Sequence, residues 1–246
     1  MIRTSRFQYL HFLPNMVTLF NLFTGFVSLI MAAHGHFRVA CSLVVLSLLW
    51  DSLDGNIARI FKNTSQLGKE IDSLADLVSF VVTPVFILAS LFSENLNNVI
   101  LLVLFSYLGT GALRLAIFNL SGVPTKESFV GLPTPASAIV LNMTLLASLK
   151  NHWTGTVFFE WGICLLVVLL SFLMVSKVRY PKLSAMKYSK WKSLLYFDLV
   201  FSGLVWLLVN FETALAAMPL FFLFVAPVYC LPGFEEVSDT QTQKHK

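Results

Sequence analysis

Residues 50–78 read WDSLDGNIARIFKNTSQLGKEIDSLADLV, a charged passage in a chain whose 246 residues are 57% hydrophobic and only 12% charged. Just before it, residues 39–50 are apolar but too few to cross a bilayer at about 1.5 Å per residue. The helix they begin must therefore run on through Asp51, Asp54 and Arg59. Charged groups at such depth cost roughly 2.5–3.5 kcal/mol each unless they face a polar cavity with partners. A cavity holding cations is expected here. At about 100° per residue, with Asp51 taken as zero, Asp54 falls near 300°, Gly55 near 40°, Ala58 near 340° and Arg59 near 80°. All five share an arc of roughly 140°. Asp72 and Asp76, four residues apart, share a face of the next helix. Residues 60–71, with Lys62, Asn63, Ser65 and Gly68, are expected to form the turn that brings the two acidic faces together.

The rest of the chain belongs in a bilayer. Its mean hydropathy is +0.77, too apolar for a soluble domain whose surface must be wetted by charged side chains. The expected fold is all-α: a polytopic membrane bundle of about eight helices, near 13–33, 39–61, 72–93, 98–118, 131–149, 154–175, 194–210 and 213–231. Residues 1–232 are read as one integral membrane catalytic domain and 233–246 as a short polar cytoplasmic tail. The start, with Arg3 and Arg6 before an apolar run, looks superficially like a signal peptide. The run is long enough to span and lacks a small-residue cleavage site, so it is read as a retained first helix.

Orientation follows from the basic residues. Arg3, Arg6, Arg59, Lys62, Lys69, Arg114, Lys126, the basic segment 176–192, Lys244 and Lys246 fall on one side of this topology, and only Arg38 and Lys150 on the other. Both termini and the acidic hairpin are therefore expected in the cytoplasm, at the cytoplasmic (inner or plasma) membrane. The segment 176–192, with Lys177, Arg179, Lys182, Lys187, Lys190 and Lys192, is expected to lie on the anionic membrane surface. Cys41, Cys164 and Cys230 are far apart in apolar stretches, and no disulfide or zinc spacing follows. His11, His34, His36, His152 and His245 show no ligand spacing.

Four carboxylates converging in a partly desolvated site cannot all stay ionised without counter-charge. Two divalent cations would balance them, and hard oxygen ligands favour Mg²⁺ or Mn²⁺ over zinc. Such a pair of ions is suited to displacement at phosphorus. Gly55 and Ala58 leave room for a ligand as large as a nucleotide, and Arg59 offers a donor fork for a phosphate.

The spacing Asp51-x2-Asp54-Gly55-x2-Ala58-Arg59-x8-Gly68-x3-Asp72-x3-Asp76 resembles, at every specified position, the signature of the CDP-alcohol phosphatidyltransferases. The resemblance implies a bundle with a six-helix core, often dimeric. Asp51, Asp54, Asp72 and Asp76 would then hold two metal ions bridged by the nucleotide's pyrophosphate. It also implies Asp76 as the general base for the acceptor hydroxyl, CMP as leaving group, and Gly55, Ala58, Arg59 and Gly68 as part of the CDP-diacylglycerol site. Three further segments resemble the phosphatidylserine synthase branch. They are Leu13-Pro14-Asn15 with Thr18 and Asn21, the run FVGLPTPA at residues 129–136, and Arg179-Tyr180-Pro181. In the segment RLAIFN at 114–119, the branch usually carries a second arginine where this chain has Ile117. The implied reaction is CDP-diacylglycerol plus L-serine giving phosphatidylserine and CMP, a step of phospholipid biosynthesis, with no nucleic-acid partner.

The individual positions have rival readings. Arg114 serves either as a snorkelling interfacial residue or as a contact for the acceptor, with Arg179 and Pro133 beside it as further acceptor-site residues. Asn15 and Thr18 either cap the first helix or contact the nucleotide. Pro133 and Pro135 start a helix or shape the acceptor pocket. The same chemistry with glycerol phosphate or inositol phosphate as acceptor is the near alternative. A divalent-cation transporter is the alternative of another class, but it leaves Gly55, Ala58 and Arg59 without a purpose on the acidic face.

Overall fold

Apolar runs broken by turn-forming residues make six helices among the described residues of the computed structural model. It covers 12–61, 66–120 and 128–181, with Pro219 alone beyond them, and for 12–14, 54–61, 128, 129, 179 and 181 the backbone alone. Helix α1 spans Phe12–Ala33 and α2 spans Phe37–Phe61. Between them the chain reverses in a Schellman turn. Gly35, at φ 77°, donates to the Ala32 carbonyl at 3.0 Å, and the His36 N–H reaches the Met31 carbonyl at 2.9 Å. Helix α3 runs over Gln66–Leu91 and contains a π-helical stretch, Leu77–Val82, directly after Asp76. Helix α4 covers Asn98–Leu120, with the Asn97 side chain capping the Ile100 N–H at 2.9 Å. Thr134–Lys150 forms α5, with Pro133 at its N-cap, and Val157–Val175 forms α6, whose Thr156 hydroxyl caps the Phe159 N–H.

Helices α1, α3, α4 and α6 are long and apolar enough to cross a membrane. Their outward faces carry large exposed apolar side chains, among them Phe23, Phe26, Leu102, Phe105, Leu165 and Phe172. In water such a surface would aggregate, whereas in a bilayer it meets hydrocarbon. The chain is therefore an integral membrane protein of the polytopic helical class. Its core gathers Phe80, Ile87, Leu88, Leu104, Tyr107, Leu141, Leu145 and Leu170. Helix α1 lies along α2 and packs on α3, α4 packs on α6, and α2 packs on α5.

Several expectations are corrected. The hairpin turn is shorter than 60–71, because α2 continues to Phe61 and the next helix starts at Gln66. Gly68 consequently lies in the first turn of α3 rather than in a loop. Helices expected from 131 and 154 start at Thr134 and Val157, because Pro133 and Thr156 take the capping positions. Part of the basic segment is a strand. Residues Arg179–Pro181 pair antiparallel with Ser128–Val130, placing Tyr180 opposite Phe129 and Arg179 opposite Val130. These two strands are labelled β2 and β1. The helices expected at 194–210 and 213–231, and the tail at 233–246, lie outside the described residues.

Candidate metal and phosphoryl-transfer site

Three of the four predicted aspartates come together. Asp51 projects from α2, Asp72 and Asp76 from α3, and one carboxylate oxygen of each lies within 4.8 Å of the others. Two unit charges at that distance repel by about 3 kcal/mol at an effective dielectric constant of about 20. Carboxylates that converge this way need a cation or a shared proton to offset the repulsion. The Asp72 Oδ1 is buried and has no hydrogen-bond partner among the described residues. A hard oxygen donor withdrawn from water and left without a proton donor fits a divalent cation such as Mg²⁺ or Mn²⁺. Asp54, Gly55, Ala58 and Arg59 sit on the same helix as Asp51, within its last three turns, where the backbone alone is described.

Asp76 is the most enclosed of the three, at 9% exposure, and it accepts a hydrogen bond at 3.3 Å from the Asn21 amide of α1. Asn21 is fully buried. Asn15 and Thr18 precede it on α1; Thr18 is buried and Asn15 half-buried. Helical spacing puts Thr18 and Asn21 on the same face as each other. On α4, Arg114 is half-buried, donates to the Gly131 carbonyl at 3.4 Å, and feels the charge of Asp76. Its Nε is buried and has no partner among the described residues. The arginine is thus near enough to Asp76 for the two charges to interact. Ser73 donates to Asn119 at 3.0 Å, a further tie between α3 and α4.

Gly131, at φ 76°, accepts the chain's tight turn between β1 and α5. Its own N–H reaches the Val178 carbonyl at 2.8 Å, and a Cβ there would meet the Met174 carbonyl oxygen at 2.5 Å. Gly131, directly after β1, is thereby tied both to the residues before β2 and to Arg114 of α4. Within the β1–β2 pair, Tyr180 is buried, and burial pushes its phenol above the ordinary tyrosine range. Pro133 serves as the α5 N-cap, the structural one of its two readings. For Arg179 the backbone position opposite Val130 is defined.

The reading of the residues missed Asn21 as a site residue, along with Ser79 and Gly131. Asn21 had a usable signal: an amide in the middle of an apolar span is costly unless it has a partner. Gly131 lies in the run 129–136 already singled out, whereas Ser79 had no signal, because its role depends on which helices touch.

Hard-oxygen donors gathered between two helices of a membrane bundle suit a divalent cation, and a cation so held suits chemistry at phosphate. A match to the model of the CDP-alcohol phosphatidyltransferase family covers residues 11–168, and the chain belongs to that family. It is accordingly a transferase with CDP-alcohol phosphatidyltransferase activity. A Helicobacter pylori protein named CDP-diacylglycerol–serine O-phosphatidyltransferase is 37% identical over 185 residues, 73% of this chain and 76% of that protein. A Methanocaldococcus jannaschii protein of the same name is 32% identical over 170 residues, 69% of this chain and 74% of that one. An archaetidylserine synthase of Methanothermobacter thermautotrophicus is 31% identical over 180 residues, 71% of each chain.

Proposed function

We propose that the protein transfers the phosphatidyl group of CDP-diacylglycerol to the hydroxyl of L-serine, releasing CMP. The observation that carries the reading is the convergence of Asp51, Asp72 and Asp76 within 4.8 Å across two helices, on a chain whose family transfers such groups. Serine as the acceptor is supported by the names of the relatives and by the segments at 13–21, 129–136 and 179–181.

Asp51, Asp54, Asp72 and Asp76 would hold two divalent cations, Mg²⁺ or Mn²⁺, which neutralise the pyrophosphate oxygens and the leaving phosphate. Asp76 accepts the proton of the serine hydroxyl as its oxygen attacks the phosphorus that bears diacylglycerol, and the bond from that phosphorus to the CMP oxygen breaks. Gly55 and Ala58 leave the face of α2 open to the nucleotide, Arg59 receives a phosphate, and Gly68, Asn15 and Thr18 line the same ligand. Arg114 and Arg179 receive the acceptor carboxylate, and Pro133 shapes the acceptor pocket beside them. The lipid tails remain in the membrane, the site and both termini face the cytoplasm, and two copies form a homodimer. Residues 1–232 act as one catalytic domain, with 233–246 as a tail.

The test is CMP release by the purified full chain supplied with CDP-diacylglycerol and a panel of labelled alcohols, with and without EDTA. Phosphatidylserine formed only with metal present, and lost in Asp76→Asn, is the expected result. Product with glycerol phosphate or inositol phosphate alone overturns the serine assignment. Metal flux into liposomes without CMP release overturns the enzyme reading.

A further inference from the structure

We propose that Asn21 is a positioning residue: its amide holds the Asp76 carboxylate in the one orientation that serves the acidic centre. The inference rests on the role given to Asp76 above. A carboxylate beside two others is pushed to swing away from them, and the terminal torsion of an aspartate is soft. The Asn21 N–H on Asp76 Oδ1, at 3.3 Å, opposes that swing. A charged acceptor strengthens a hydrogen bond, and at 3.3 Å this one stands at the long end of the range, where a small displacement breaks it.

The donor is itself held rigidly. The Asn21 backbone carbonyl accepts the hydroxyls of Thr24 at 2.9 Å, Ser79 at 3.0 Å and Ser47 at 3.5 Å, one from each of α1, α3 and α2. Ser79 lies three residues beyond Asp76, so α3 clasps Asn21 at two points, through its amide and through its carbonyl. The π-helical stretch begins immediately after Asp76 and includes Ser79. That wider turn resets the angle between the two side chains, and such turns recur at functional sites. Gly25, one turn along α1, lets the two helices approach: a Cβ there would collide with the Ser79 Oγ.

Packing alone does not explain the amide. Its Oδ1 is buried without a partner among the described residues, a net cost to folding that an apolar side chain of the same shape would avoid. What the amide does provide is its N–H on Asp76.

The experiment compares the full chain with Asn21→Leu, Asn21→Asp and Asp76→Asn in detergent. It measures kcat and KM for both substrates, thermal unfolding, and Mn²⁺ binding by electron paramagnetic resonance titration. Asn21→Leu is expected to lower kcat by about 10–100-fold and weaken Mn²⁺ binding by about tenfold. The KM for CDP-diacylglycerol should stay within about threefold and the unfolding midpoint should not fall. Asn21→Asp keeps the shape, replaces the donor with a carboxylate facing Asp76, and should lose kcat likewise. It decides the matter if the leucine variant does not fold. A kcat per folded molecule and a Mn²⁺ affinity both within about twofold of the parent overturn the proposal, whatever happens to the melting temperature. Asp76→Asn separates the two readings. If it turns over normally, the site assignment fails; if it is silent while Asn21→Leu is active, positioning alone fails.

Discussion

Replacing Gly25 by alanine tests whether the α1–α3 contact sets the site. The added Cβ would overlap the Ser79 Oγ and stand 3.0 Å from the Ser79 Cα and 3.1 Å from its Cβ. The hydroxyl can rotate away only by giving up its 3.0 Å bond to the Asn21 carbonyl. The Cα cannot rotate, so the helices must part by about 0.4 Å to reach the 3.4 Å of ordinary contact. Overpacking of this kind costs about 1–3 kcal/mol, and the lost buried hydrogen bond about 1 kcal/mol more. Removing a helical glycine returns about 1 kcal/mol. The net expectation is a loss of about 1–3 kcal/mol.

The functional effect should be larger than that loss implies. The Asn21–Asp76 bond already stands at 3.3 Å, and opening the same helix pair by about 0.4 Å carries it past hydrogen-bonding range. The assays are thermal unfolding in micelles and CMP release per folded molecule. Ser79→Gly in the same chain removes the Oγ and Cβ from the clash and should recover part of the stability but not the clasp. A Gly25→Ala protein as active as the parent, or more stable than it, would refute the close crossing and with it the clasp on Asn21.

Two further outcomes follow from the same packing. Gly131→Ala forces an alanine into a left-handed conformation, about 1–2 kcal/mol, and drives its Cβ into the rigid Met174 carbonyl at 2.5 Å. The Gly131 carbonyl that holds Arg114 should move, raising the acceptor KM more than that of CDP-diacylglycerol in steady-state kinetics. Tyr107→Phe deletes a buried hydroxyl paired with Ser137 at 2.8 Å and the Phe80 carbonyl at 3.3 Å. Because Ser137 keeps its bond to the Thr134 carbonyl, the loss should be about 0.5–1.5 kcal/mol in a denaturation assay, with kcat unchanged.

The membrane class, the six helices within the described residues and the acidic pair of helices were legible in the order of residues alone. Periods of apolarity report burial in lipid directly, and a four-residue spacing such as Asp72 to Asp76 is a local property of one helix. The turn after α2 was misjudged because helix ends depend on capping and on neighbours as much as on composition. Residues 66–71 include Gln66, Gly68, Lys69 and Glu70, yet they belong to the helix that carries Asp72. The strand at Arg179–Pro181 was hidden for a related reason: it exists only because Ser128–Val130 lies alongside to pair with it.

From the sequence by itself came the chemistry: which carboxylates could gather, the charge they would need to balance, and the family whose spacing they share. The tertiary structure alone decided who supports them, because Asn21 meets Asp76 across 55 residues of chain, and Gly131 meets Arg114 across 17. Contacts within one helix are set by its own pitch, whereas contacts between helices depend on how deeply each packs into the other, and there the absence of a side chain at Gly25 matters as much as any side chain present.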